Sequence, residues 1–202
     1  MSSTSLIYRS AFGYELVMRA LYGRHYAERL RLVAAEVPHG SSVLELCCGP
    51  GTLYRRCLRE RTSAYVGLDV NEHFVYKLRA EGIDARQVDL KTSTDALPKA
   101  DVVLMQDSLY HFLPQPEEIV DRMLAAALHR VIISEPIRNL SSSQHPLLQR
   151  LGRRASDPGD QGGQQRFSEE SLDALMSRCA HQVVRSFLIP GGRDKVYVLR
   201  SN

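Results

Sequence analysis

Two glycines and an acid follow two apolar segments of this chain, at a spacing that suits nucleoside binding. The apolar run 42–46 leads into the turn Gly49-Pro50-Gly51, and a second apolar run, 64–68, ends in Asp69. Glycines where a strand turns into a helix allow backbone N–H groups to approach a ligand closely. An acid at the tip of the next strand is placed to accept hydrogen bonds from ribose hydroxyls. The pattern predicts a nucleoside cofactor.

The turn departs from the dinucleotide fingerprint. G-x-G-x-x-G requires a third glycine, and this chain has Tyr54 at that position. An acid, Glu45, precedes the turn within the first apolar run. Glu45, Gly49, Gly51 and Asp69 together resemble the class I S-adenosylmethionine (SAM) methyltransferases. The resemblance implies SAM as the methyl donor, S-adenosylhomocysteine as the product and a Rossmann-like sheet as the scaffold.

The resemblance extends to two later segments. Residues 87–90 resemble the third-strand motif, which implies that Asp89 meets the adenine amino group while its neighbours pack on the ring. Residues 101–112 resemble the fourth motif, which implies that Gln106 and Asp107 lie near the transferred methyl group. The cofactor-binding residues predicted from the resemblance are Glu45, Cys47, Gly49, Gly51, Asp69, Val70, Asp89, Leu90, Gln106 and Asp107.

His111, which follows the fourth motif, is the candidate catalytic residue and has two interpretations. An imidazole has an ordinary pKa of about 6.5, so His111 could take a proton from a hydroxyl or amine acceptor. The resemblance equally implies a histidine that packs beneath the cofactor. Both interpretations stay open at the level of the sequence.

The acceptor pocket is predicted at the carboxyl ends of the strands, where ligands of open α/β sheets bind. Tyr110, Arg138 and His145 flank the ends of the fourth and fifth predicted strands. Tyr22 belongs to a group of tyrosines near the N-terminus. We predict that these four side chains bind the acceptor, although the tyrosines would serve equally well as packing residues of an amphipathic helix.

Apolar segments alternate with helical patterns across the middle of the chain, as in parallel sheets covered by helices on both faces. The predicted strands are 42–47, 64–69, 84–88, 101–106, 130–135, 182–189 and 195–200. The predicted helices between the first five strands are 52–61, 71–81 and 117–128. The turn at 190–194 joins the last two strands into an antiparallel hairpin. We therefore predict an α/β, Rossmann-like, doubly wound fold with a mostly parallel seven-stranded sheet.

We predict a single methyltransferase domain over residues 1–202. Its predicted parts are N-terminal helices or a lid (1–39), a cofactor-binding core (40–136), a lid insertion (137–167) and a C-terminal helix and hairpin (168–202). The insertion is rich in Ser, Gln, Gly, Arg and Asp, a composition typical of a mobile cover. Ser168, followed by Glu169 and Glu170, predicts the start of the last helix.

Composition favours a globular protein. The 202 residues are 44% hydrophobic and 24% charged, with a net charge of +3. No apolar run is long enough to span a membrane and no signal-peptide pattern opens the chain, so we predict a cytoplasmic protein. Cys47, Cys48, Cys57 and Cys179 have no paired spacing, which favours free thiols and no metal site.

The sequence thus predicts a SAM-dependent methyltransferase that acts on a small-molecule acceptor. One alternative is an RNA or DNA methyltransferase, but the fourth strand ends in Gln106-Asp107-Ser108-Leu109 rather than the Pro-Pro-aromatic motif of base-amine enzymes. We predict no appended nucleic-acid-binding domain, and the arginines are spread along the chain. The other alternative is a non-catalytic SAM-binding protein that acts through a partner. The accepting atom, the pathway and the oligomeric state stay open.

Overall fold

The computed structural model describes residues 16, 18–19, 22–137 and 165–201. Within them, seven strands form one sheet in the order β3-β2-β1-β4-β5-β7-β6. The strands are β1 (Ser42–Leu46), β2 (Ala64–Asp69), β3 (Ala85–Gln87), β4 (Ala100–Gln106), β5 (Ala127–Pro136), β6 (Val183–Leu188) and β7 (Asp194–Arg200). The first five strands pair in parallel, and β7 runs antiparallel to both of its neighbours. The predicted fold is confirmed.

Two of the described α-helices, the second and the fourth, begin at a side-chain cap. They are α1 (Tyr26–Ala35), α2 (Glu72–Ala80), α3 (Glu117–Ala126) and α4 (Glu169–Ser177), with 3-10 turns at Gly23–His25, Leu109–Phe112 and Ala180–Gln182. The Asn71 side chain accepts hydrogen bonds from two backbone N–H groups of the first turn of α2. The Ser168 hydroxyl accepts one from the Ser171 N–H in α4. Each cap satisfies donors that would otherwise lack partners within the helix.

Two elements differ from the sequence prediction. The helix expected over 52–61 contains a π-helix, Tyr54–Leu58, in which the Arg59 N–H reaches the Tyr54 carbonyl at 2.9 Å. Strand β5 begins at Ala127 rather than Arg130, because Ala127 pairs with Ala100 across an irregularity in β4. The sequence prediction had continued α3 into this segment, and Leu128 is in fact 51% exposed.

Both faces of the sheet are buried beneath helices. Alternation along β4 shows this, because Val103 and Met105 pack into one apolar cluster and Val102 and Leu104 into the other. The first cluster includes buried side chains of α3 and α4, and the second includes those of α1 and α2. This doubly wound arrangement leaves the carboxyl ends of the strands as the accessible edge. No helix in the described ranges combines the length and the apolar character needed to cross a membrane.

Candidate active site

A cleft opens at the carboxyl ends of β1 and β4. Strand order reverses between these two strands, and this reversal is where ligands bind in open α/β sheets. The cleft is lined by Met18, Tyr26, Arg29, Leu30, Glu45, Cys47, Cys48, Gly49, Pro50, Thr52, Leu53, Gln106, Asp107 and Ser108. Half of the predicted cofactor residues meet there, namely Glu45, Cys47, Gly49, Gln106 and Asp107. The N-terminal segment supplies the opposite wall.

Asp69 at the end of β2 holds the glycine turn in place. One carboxylate oxygen accepts a hydrogen bond from the Gly49 N–H at 2.7 Å, and the other accepts one from the Asn71 N–H at 2.8 Å. Asp69 is only 8% exposed, and burial raises its pKa while the two backbone bonds oppose the rise. The carboxylate therefore joins β2 to the turn that follows β1, at the rim of the cleft.

The two glycines of the turn face different surroundings. Both have a left-handed backbone, with φ of +54° at Gly49 and +71° at Gly51. A Cβ built on Gly49 meets nothing within 4 Å, whereas one on Gly51 lies 2.5 Å from a methyl group of Leu78. Gly49 thus borders open space in the cleft, and Gly51 is needed for packing against α2. The sequence predicted a cofactor-binding role for both glycines, and the structure adds a packing role for Gly51.

Paired alanine substitutions separate the two roles of the glycines. Both Gly49→Ala and Gly51→Ala incur the left-handed backbone cost of about 1–2 kcal/mol. Only Gly51→Ala also displaces the fully buried Leu78, at a further cost of about 1–3 kcal/mol from overpacking. Urea denaturation of both variants measures the difference. Equal losses of unfolding free energy would show that position 51 does not pack against α2.

Glu45 is a buried acid in the wall of the cleft. Its side chain is 4% exposed and accepts a hydrogen bond from the Tyr65 hydroxyl at 2.7 Å. The Tyr65 ring stacks on Tyr54, with 4.0 Å between centroids. Burial raises the pKa of Glu45 to about 7, with the Tyr65 hydrogen bond opposing and the charge of Asp69 adding to the rise. The protonation of this wall of the cleft therefore changes near neutral pH.

A buried ionic network closes the other side of the cleft, and sequence reasoning missed it. Arg29 of α1 is 2% exposed and donates through Nε to Asp194 of β7 at 2.6 Å. Its Nη2 donates to Asp107 at the end of β4. Asp194 is fully buried and also accepts a hydrogen bond from the Tyr22 hydroxyl at 3.1 Å. The network ties the N-terminal segment to the ends of two strands.

The end of β4 carries polar atoms without partners. Within the described part of the chain, Gln106 Nε2 and Asp107 Oδ1 are buried and make no hydrogen bond. Asp107 also has a left-handed backbone, with φ of 55°, and so does Cys47, with φ of 53°, after β1. Such conformations cost about 1–3 kcal/mol in non-glycine residues and cluster at ligand sites. Cys47, Gln106 and Asp107, with their left-handed backbone or unpaired polar atoms, all line the cleft.

The side chain of His111 lies outside the set that lines this cleft. Its ring packs against that of Tyr110, with 3.9 Å between centroids. Burial, aided by the charges of Arg166 and Lys91, lowers the pKa of His111 to about 4, so the imidazole is neutral near pH 7. Tyr110 is 8% exposed and belongs to the apolar core, with the Arg166 guanidinium 3.3 Å from its ring centroid.

The sequence matches the family model of a methyltransferase domain over residues 18–185. This chain belongs to that methyltransferase family. The match covers most of the chain and includes every strand that lines the cleft. The prediction of a SAM-dependent methyltransferase is therefore confirmed. A comparison with curated proteins finds no match.

Solved structures with this fold are distant in sequence. Magnesium protoporphyrin IX methyltransferase (ChlM) from Synechocystis PCC 6803 with bound S-adenosylhomocysteine aligns over 96% of both chains, at 15% identity and a TM-score of 0.66. A TehB-like SAM-dependent methyltransferase from Corynebacterium glutamicum aligns over 96% of this chain and 98% of that chain, at 14% identity and a TM-score of 0.64. A complex between the Haloferax volcanii Trm112 methyltransferase activator and a methyltransferase aligns over 99% of both chains, at 12% identity and a TM-score of 0.70. These likenesses confirm the class I fold.

Several other predicted site residues of the methyltransferase do not line the cleft. Val70 is 61% exposed, and Asp89 lies on an exposed turn, where it accepts the Lys91 N–H at 3.0 Å. Leu90 is 6% exposed and packs in the core. Tyr22 belongs to the Arg29 network. Arg138, His145 and most of the predicted lid, over 138–164, lie outside the described residues.

Glu135 is a second buried acid of the methyltransferase that the sequence reading did not single out. It is fully buried at the end of β5 and accepts hydrogen bonds from the backbone N–H groups of Leu109, at 3.0 Å, and Tyr110, at 3.3 Å. These bonds hold the 3-10 turn that carries His111. Burial raises the pKa of Glu135 to about 8, against the effect of the two backbone bonds.

This raised pKa predicts how stability changes with pH. The folded state keeps the Glu135 proton up to about pH 8, whereas an ordinary glutamate loses it near 4.5. Because the folded state then binds more protons, the contribution of Glu135 is fully present below pH 4.5 and is lost as the pH rises to about 8. Urea denaturation across that range should show the wild type losing stability relative to Glu135→Gln. Parallel curves for the two proteins would contradict the assignment.

Proposed function

We propose that this methyltransferase holds SAM in the cleft between the ends of β1 and β4 and methylates a small-molecule acceptor there. The observation that carries the proposal is the convergence of Glu45, Gly49, Gln106 and Asp107 on one cleft at the strand-order reversal. Four separate segments of sequence resembled cofactor motifs, and residues from two of them line this cleft. Asp69, from a third, holds the glycine turn that borders it.

The residues of the cleft fit the chemistry of SAM. The space beside Gly49 gives backbone groups of the turn access to a ligand. The Gln106 amide nitrogen has no hydrogen-bond partner among the described residues, so it is a donor that suits a carboxylate. Glu45 offers a carboxyl group to an ammonium. SAM carries both of these groups in its methionine moiety. When bound, it supplies an electrophilic methyl carbon on a positively charged sulfur.

The N-terminal segment supports a small acceptor. Met18, Tyr26 and Leu30 form an apolar wall opposite the strand ends, and Arg29 ties this wall to Asp107 and Asp194. A cleft enclosed on this side favours exclusion of water and alignment of the acceptor with the methyl carbon, which are the main requirements of methyl transfer. We propose that Tyr22, with Arg138 and His145 of the insertion at 137–167, contributes to acceptor selection, and we expect a cytoplasmic location.

A labelling experiment tests the proposal. The protein is incubated with methyl-tritiated SAM and either small-molecule extracts or total RNA, and organic, aqueous and RNA fractions are counted separately. We expect label in a small-molecule fraction and none in RNA. Label in RNA alone would favour the nucleic-acid alternative. Saturable SAM binding without transfer to any fraction would favour a non-catalytic SAM-binding protein.

A further inference from the structure

We propose that Asp107 is the general base of the reaction and that the acceptor presents an N–H or O–H nucleophile to it. The inference rests on the proposed function and deepens it, because it assigns the class of accepting group. It also gives Asp107 a different role from the cofactor contact that the resemblance implies. Only one of the two oxygens of this carboxylate has a hydrogen-bond partner among the described residues.

The two carboxylate oxygens of Asp107 are held asymmetrically. Oδ2 accepts a hydrogen bond from Arg29, while Oδ1 is buried and has no hydrogen-bond partner among the described residues. The side chain is 14% exposed and lines the cleft. A buried carboxylate oxygen without a partner is costly, so a ligand that donates a proton or hydrogen bond to it is favoured.

Arg29 acts as a positioning residue for this carboxylate. Its guanidinium is fixed from the other side by Asp194, 2.6 Å from Nε, and its side chain is 2% exposed. Charge-assisted hydrogen bonds of this kind are short and directional. The left-handed backbone of Asp107 adds a second constraint, with φ of 55°. Oδ1 therefore stays at the end of β4, where the resemblance places the transferred methyl group.

The proposed step balances in atoms and charge. A new bond forms between the nitrogen or oxygen of the acceptor and the methyl carbon. The methyl carbon–sulfur bond of SAM breaks, and its electron pair stays on sulfur to give S-adenosylhomocysteine. The proton of the acceptor N–H or O–H passes to Oδ1 of Asp107. Water then removes that proton after product release.

The charges around the cleft favour the same class of acceptor. Asp107 and Asp194 share Arg29, so these three groups carry one net negative charge when both acids are ionised. An anionic acceptor is disfavoured there, whereas a neutral alcohol, phenol or amine is accepted. His111 is not placed to serve such a group, because its side chain does not line the cleft.

Asp107→Asn tests the assignment directly. Asparagine tolerates the left-handed backbone and can still accept a hydrogen bond from Arg29, but it presents an amide that cannot take a proton. With the accepting small-molecule fraction, kcat should fall about 100- to 10,000-fold. Calorimetric affinity for SAM should change less than about threefold. Asp121→Asn, an exposed carboxylate change on α3, is the matched control and should leave both values unchanged.

A second measurement uses the wild-type protein alone. Methyl-tritiated SAM is supplied with size-matched alcohols, phenols, amines and thiols, and the proposal predicts transfer to a hydroxyl or amine. Transfer to thiols alone would overturn it. So would an Asp107→Asn variant that loses SAM affinity more than about tenfold yet recovers full kcat at saturating SAM, because Asp107 would then be a cofactor contact. Wild-type protein that transfers no methyl group to anything would instead refute the proposed function.

Discussion

Replacing Arg29 with methionine is expected to lower the free energy of unfolding by about 3–5 kcal/mol, because it removes the shared cation of two buried carboxylates. Arg29 is 2% exposed, and its partners Asp107 and Asp194 are 14% and 0% exposed, so water screens the network little. Methionine roughly keeps the length of the side chain, which limits the loss of packing. Urea denaturation at neutral pH gives the change in unfolding free energy.

Arg31→Met is the matched control for this experiment. Arg31 lies two positions away on α1 and is exposed, so its replacement should change stability by no more than about 0.5 kcal/mol. If Arg29→Met proves as stable as Arg31→Met, the network does not hold α1 against the strand ends. The N-terminal wall of the cleft would then not depend on Arg29.

Asp69→Ala should weaken SAM binding about ten- to a hundredfold, which corresponds to about 1.5–3 kcal/mol for hydrogen bonds to a charged group. The variant loses the 2.7 Å hydrogen bond that fixes the Gly49 N–H, together with the carboxylate predicted to bind the ribose. The sequence predicted only the ribose contact, and the structure adds the hydrogen bond to Gly49. Isothermal titration calorimetry with SAM measures the affinity.

Asp84→Ala provides the control for Asp69→Ala. Asp84 lies just before β3, half exposed, and pairs with Arg86 on the surface. Its replacement removes a carboxylate close to β2 without touching the cleft, so SAM affinity should stay at the wild-type value. Equal affinities for the Asp69→Ala and Asp84→Ala variants would show that Asp69 supports no part of the cofactor site.

Features encoded by local sequence were predicted well. The bounds of β2, Ala64–Asp69, agree with the apolar run, and Asn71 caps α2 as expected. The strand and the cap both depend on residues that are close in sequence. Apolar residues favour a buried strand, and an Asn side chain satisfies N–H groups two and three positions ahead. The glycine turn was found for the same reason. These local features were enough to place the carboxyl edge of the sheet correctly.

Features that depend on distant partners were missed. Arg29 shares the buried face of α1 with Tyr26 and Val33, three residues before and four after it, and that position was the one available signal. Its partner Asp194 is 165 positions away and looked like a turn residue. Likewise, nothing near Gly51 in sequence shows that Leu78 packs against it. Pairings of this kind are set by how the elements pack, which a single sequence does not reveal.

A calorimetric titration of the wild-type protein with SAM, S-adenosylhomocysteine and NAD in parallel tests directly whether the cleft binds SAM. We expect saturable binding of SAM and S-adenosylhomocysteine, competition between the two, and no binding of NAD. This expectation rests on the cleft between β1 and β4, where Asp69 holds Gly49 and Tyr54 stands in place of a third glycine. Binding of NAD without binding of SAM or S-adenosylhomocysteine would contradict it.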